Sequence, residues 1–96
     1  MSVYISPTAN VYGNAKVYDN AQVYDYAYVY DHAMISGNAL VYGNAIVKGN
    51  AHIYGHAQLG YHVRIDGNPD IYGTAHVYGY AILEGDVNIS NGWFED

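Results

Sequence analysis

The sequence predicts an all-β parallel solenoid, and three observations carry that prediction. Stepping by six from Ile5 to Ile89 lands on an aliphatic residue at all fifteen positions. A companion column two residues earlier is Ala from Ala9 through Ala57, then Val63, Pro69, Ala75, Ala81 and Val87. Between successive pairs stands a two-residue turn signal, as at Gly43-Asn44 and Gly49-Asn50 in ALVYGNAIVKGNA, residues 39–51. Self-similarity at a fixed period decides the architecture before any local propensity does.

One repeat reads as a short strand and a corner. In Ala39-Leu40-Val41-Tyr42, two-residue alternation sends Ala39 and Val41 to one side and Leu40 and Tyr42 to the other. The first corner position is usually Gly, with Asp19, Asp25 and Asp31 in the early repeats; the second is often Asn, as at Asn14, Asn20, Asn38, Asn50 and Asn68. Gly and, less freely, Asn both visit the left-handed region, so either corner position is a candidate for positive φ. A helix is excluded, because a period of six with Gly at each corner would scatter apolar residues all round it. Strands of about four residues are not stable alone. Each must pair with the equivalent strand one coil later.

Over residues 3–89 these repeats resemble the hexapeptide-repeat proteins, and in flavour the small tandem Tyr-Gly-Asn-Ala repeat proteins of bacteria and their phages. The resemblance implies a single-stranded left-handed parallel β-helix of triangular section with three repeats per coil. That hand is an exception to the right-handed crossover rule and comes from the resemblance alone. Fifteen repeats then make about five coils of 18 residues, without loop insertions. At about 4.8 Å per coil the stack is roughly 24 Å tall.

The 96 residues make one domain, residues 1–96, with repeats over about 3–90 and a short C-terminal cap at 91–96. Trp93 and Phe94, the single Trp and single Phe of the chain, are expected to fold across the open end of the column. Charged residues are 12% and the formal net charge is −6, which argues against nucleic acid or an anionic membrane surface as partner. Neither a bilayer-spanning apolar run nor a signal-peptide pattern is visible, so a cytoplasmic place or one in a phage- or virion-like particle is expected. Absence of Cys removes disulfide and thiol chemistry.

Assigning every third repeat to one face gives three sides. The first, on Ile5, Val23, Val41, Leu59 and Val77, displays no formal charge when His is neutral. The second is built on Val11, Val29, Val47, Ile65 and Leu83, and the third on Val17, Ile35, Ile53, Ile71 and Ile89. Tyr26 and Tyr80 fall at the corner joining the first two. Thirteen tyrosines suit ladders in which each ring stacks on its neighbour a coil away, and they also suit a buried interface. Solenoids of the resembled kind commonly form trimers. A parallel homotrimer is therefore expected to join through Tyr24, Tyr26, Tyr28, Leu40, Tyr42, Ile46, Tyr78, Tyr80 and Ile82, with Leu40, Ile46 and Ile82 exposed.

Many hexapeptide-repeat proteins are acyltransferases holding acyl-CoA between subunits, with a His base on or near an inserted loop, and others are carbonic anhydrases with three metal-binding His. In this chain His32, His56 and His62 occupy second corner positions, which reads as repeat drift. His52 and Asp70 fall in one outward column a coil apart, which reads as a surface pair. No repeat carries an insertion from Ile5 to Ile89, whereas enclosing a substrate takes loops. Asp19, Asp25 and Asp31 fall at different corners and cannot share one ion; Asp is expected there as a turn former through its own backbone contacts. Ice-binding Thr arrays are lacking, with Thr only at Thr8 and Thr74. No catalytic residue, cofactor or metal ligand is assigned. The expected role is a non-catalytic, self-assembling scaffold such as a spike, spacer or filament unit. The alternatives are a minimal acyltransferase with its acyl-CoA site between subunits, and a glycan- or ligand-binding module using tyrosine ladders.

Overall fold

Each repeat folds as a two-residue strand followed by a corner, so the sequence period is also the structural one. The computed structural model describes residues 3–94. Its strands are β1 (Tyr4–Ile5), β2 (Asn10–Val11), β3 (Lys16–Val17), β4 (Gln22–Val23), β5 (Tyr28–Val29), β6 (Met34–Ile35), β7 (Leu40–Val41), β8 (Ile46–Val47), β9 (His52–Ile53), β10 (Gln58–Leu59), β11 (Arg64–Ile65), β12 (Asp70–Ile71), β13 (His76–Val77), β14 (Ile82–Leu83), β15 (Asn88–Ile89) and β16 (Trp93–Phe94). They pair in parallel three apart, giving sheets β1-β4-β7-β10-β13-β16, β2-β5-β8-β11-β14 and β3-β6-β9-β12-β15. These are the three expected sides, with the expected register, as in Leu40↔Gln58 and Val41↔Leu59. The stack measures 28 × 21 × 20 Å. No helix among the described residues is long and apolar enough to cross a membrane.

The strands are shorter than the four residues read from the sequence, because Ala39 and Tyr42 already belong to the bends. Pairing nevertheless runs on through the corners. The Tyr42 N–H donates to the Leu59 carbonyl at 2.9 Å, and the Asn44 N–H donates to the Tyr61 carbonyl. The N–H at the second corner position is thus satisfied from coil to coil, as a solenoid of such short strands requires.

Many corners are tight turns. At residues 42–45 the Ala45 N–H donates to the Tyr42 carbonyl at 3.3 Å. Gly43 has φ 65°, whereas Asn44 is not among the residues with positive φ. Positive φ at the first central residue alone is the mark of a type II′ turn. This corrects the expectation that Asn serves the second position by visiting the left-handed region. That position needs no special backbone, so it accepts Asn14, His32, Tyr26 and Thr74 alike.

The interior is a thin column of Ala, Val, Ile and Leu, buried from Ala21 through Val77. Each fully buried aliphatic side chain contributes about 1.5–3 kcal/mol of transfer free energy. Pro69 replaces Ala in this column at little cost. The corresponding Ala75 N–H makes only the 3.3 Å corner bond to the Tyr72 carbonyl, and the Pro69 carbonyl still accepts from the His52 N–H at 2.9 Å. The first coil is less covered, with Ile5 41% exposed and Val11 and Val17 half-buried.

The period ends at Ile89, as expected, but the coil does not. In β16, Phe94 pairs with Val77, one residue short of the eighteen-residue step that separates Leu59 from its partner Val77. The shortened corner is Ser90-Asn91-Gly92, where the Ser90 carbonyl accepts from the Thr74 N–H at 3.0 Å. The backbone at the proposed cap therefore continues the first sheet. The side chains of Trp93 and Phe94, expected to cover the open end, lie outside what the structure describes.

Candidate functional site

Stacking identical corners one coil apart sets the outward side chains in columns about 4.8 Å apart, close to the separation of stacked rings. Tyr12 lies on Tyr30 with centroids 4.9 Å apart and planes 1° apart, and Tyr54 lies on Tyr72 at 5.0 Å and 6°. On the first side Tyr24 lies on Tyr42 at 5.5 Å and 12°. His62 and Tyr80, at second corner positions, stack at 5.0 Å and 3°. Burial, then the Tyr42 phenol and the Asp25 carboxylate, raise the Tyr24 pKa above the ordinary tyrosine value.

The proposed interface residues divide by exposure. Tyr26, Tyr80 and Ile82 are 61%, 64% and 60% exposed, and Tyr28 is exposed as well. Tyr24, Leu40, Tyr42, Ile46 and Tyr78 are half-buried, because neighbours in the coils above and below cover them. Leu40 and Ile46 are accordingly less exposed than expected. Tyr28, Ile46, Tyr80 and Ile82 line a groove of about 480 Å³ on the second side together with Asn44, His62 and Arg64.

Residues put forward as chemical candidates stay apart. His32, His56 and His62 sit at three different corners, His52 on the third side and His76 on the first. Among the described residues no three His, Cys, Asp or Glu side chains gather to hold a metal. His52 and Asp70 are register partners with Nδ1 and Oδ1 4.0 Å apart, the surface pair that their column predicts. Lys48 and Asp66 form a second ladder pair at 3.8 Å.

Asp19, Asp25 and Asp31 are corner formers, though not through their own backbone. Each takes φ near 60° and accepts a hydrogen bond from the Gly N–H one coil later: Gly37 to Asp19 at 3.2 Å, Gly43 to Asp25 at 3.0 Å and Gly49 to Asp31 at 3.3 Å. Asp tolerates the left-handed region better than most residues, and the carboxylate here binds the next coil down.

The one break in the first-side tyrosine column lies at Gly60-Tyr61. The column runs Tyr24, Tyr42, Gly60, Tyr78, and Tyr61 takes the corner position that Gly fills at Gly43 and Gly79. Tyr61 adopts φ 59°, an aromatic residue where every other corner with positive φ has Gly or Asp. Its ring meets Tyr78 edge to face at 6.3 Å. A β-carbon on Gly60 would stand 2.4 Å from ring carbons of Tyr42, so the Tyr42 ring leans over the glycine backbone. Beside it Tyr42, Gln58, Tyr61, His76, Val77 and Tyr78 line a notch of about 280 Å³. The signal was visible in LGYH, residues 59–62, which reverses the Tyr-Gly order of its neighbours.

Repeat geometry and surface define a parallel β-solenoid repeat protein. A family model described as the YdcK beta solenoid repeat matches residues 33–49 and again 41–55, in the central coils. No curated protein and no solved structure matches the chain.

Proposed function

We propose that the protein is a structural module, a rigid prism that associates with further copies of itself, a homotrimer being the favoured assembly. The observation that carries this is the strip formed by Tyr26, Tyr28, Ile46, Tyr80 and Ile82 around the second-side groove, where Arg64 is the only formal charge. Aromatic enrichment and charge depletion mark the centre of an interface. Tyr24, Leu40, Tyr42 and Tyr78 on the first side are half-buried by their own stack and gain less from further cover. The strip beside the second side is therefore the seat of association.

Corners that close within about four residues provide no loop to wrap an acyl-CoA, which supports the scaffold over the minimal acyltransferase. Light scattering on the purified chain at micromolar concentration is expected to give a mass above that of the 10.6 kDa monomer. Ile82→Asp, which puts a charge in the middle of the strip, is expected to shift that mass to the monomer while leaving the β-sheet circular dichroism unchanged. A wild-type chain that is monomeric at that concentration removes the self-association proposal.

A further inference from the structure

The geometry points to the Gly60-Tyr61 notch as a binding site for a single neutral pyranose ring, such as one residue of a glycan. The inversion has a backbone cost. A Tyr at φ 59° is strained, and unlike Asp19, Asp25 and Asp31 it has no carboxylate with which to bind the neighbouring coil. Exchanging the two residues would restore the order found at Tyr42-Gly43 and Tyr78-Gly79, relieve the backbone and complete a four-ring column from Tyr24 to Tyr78. A local rule broken at a backbone cost is where function is to be sought.

What the inversion creates is space of a definite size. The backbones at Tyr42 and Tyr78 stand two coils apart, about 9.6 Å, and the Tyr61 ring meets Tyr78 edge to face. The lean of Tyr42 over Gly60 uses part of that gap. The remaining 280 Å³ sits at the small end of ligand sites, room for one ring and not for an extended cofactor.

The lining selects the kind of ring. Tyrosine faces present flat apolar surface, and the polar groups are the amide of Gln58, the imidazole of His76 and the phenol hydroxyls. The outward residues of the first side include no Lys, Arg, Asp or Glu, so an ionised ligand would lose hydration without meeting a counter-charge. A sugar ring has a C–H face to lie on tyrosine and a rim of hydroxyls to exchange hydrogen bonds with Gln58. A plain aromatic ring would use only the faces.

The site lies on the first side and the association strip beside the second, so the two proposals are separable. Isotope-labelled full-length protein is titrated with methyl β-glucopyranoside, methyl β-galactopyranoside and methyl 2-acetamido-2-deoxy-β-glucopyranoside, with benzyl alcohol as the aromatic probe. At least one glycoside is expected to shift the backbone amides of Gly60, Tyr61 and His76 with saturation on the order of 1 mM. The double variant Gly60→Tyr/Tyr61→Gly is expected to melt at higher temperature and to lose the response by about tenfold or more. Gln58→Ala, which leaves the backbone alone, is expected to weaken it several-fold. Ile82→Asp is expected to bind as wild type whatever its oligomeric state. The inference is overturned if no glycoside moves those amides, if the double variant binds as wild type, or if benzyl alcohol saturates the notch at lower concentration than every glycoside.

Discussion

A single added β-carbon at Gly43 would stand 2.6 Å from the backbone nitrogen of Tyr61 in the next coil, and the residue already sits at φ 65°. Both the left-handed backbone and the forced separation of two coils oppose any side chain. Gly43→Ala is therefore expected to destabilise by about 2–3 kcal/mol, read as a lower urea midpoint with unchanged slope. Asn44→Ala, one residue on, is expected to stay within about 0.5 kcal/mol, because that position has an ordinary backbone. The contrast separates what was legible at this scale from what was not. Gly at the first corner position announces its turn, whereas Asn at the second is ambiguous and led to the wrong backbone assignment. The role of Asp25 was not legible, because its partner, the Gly43 N–H, is eighteen residues away and reaches it only when the stack is in register.

Tyr24 carries a pH dependence at the same scale. Its phenol, buried against Tyr42 and near Asp25, holds its proton above the ordinary tyrosine value of about 10. At higher pH the unfolded chain releases that proton while the folded chain keeps it, so the unfolded state binds fewer protons and stability falls as pH rises. The thermal midpoint is expected to be insensitive to this group below about pH 10 and to drop above it. Tyr24→Phe is expected to reduce the slope of that drop.

At the scale of the strand, two residues of pairing are enough because every strand is the middle of something. Ile53 in β9 is fully buried, between Ile35 and Ile71 in the same sheet, while Ile5 in β1 is 41% exposed. Ile53→Ala is expected to cost about 2–5 kcal/mol through lost transfer energy and an unfilled cavity in a column too narrow to collapse. Ile5→Ala is expected to cost less than half as much in the same denaturant experiment. The two inward columns, and hence this difference between middle and end, follow from the period alone. Strand length does not, because alternation continues through Tyr42 although the chain has begun to bend there.

For the molecule as a whole, the three sides and their register were legible because the six-residue phase holds from Ile5 to Ile89. The left hand expected of the coil came from the resemblance, since a period of six is indifferent to hand. The continuation of the coil through Trp93–Phe94 was hidden, because a corner shortened by one residue takes those positions out of phase with everything before them. The notch at Gly60-Tyr61 was written in the sequence as a reversal, and its meaning depends on rings from the coils on either side.

Since strands from β1 to β15 pair with one another at steps of eighteen residues and each corner turns the chain to the next sheet, height and facing are set by different arithmetic. Excision of residues 21–38 is expected to shorten the prism by one storey and leave Tyr42, Tyr61 and Tyr78 grouped. Excision of residues 45–50 is expected to give a chain that still coils, with everything downstream turned by a third of a revolution. Tyr42 would then part from Tyr61 and Tyr78 although none of them has changed. Glycoside titration of the two deletants, with circular dichroism to confirm the fold, is expected to find binding in the first and none in the second.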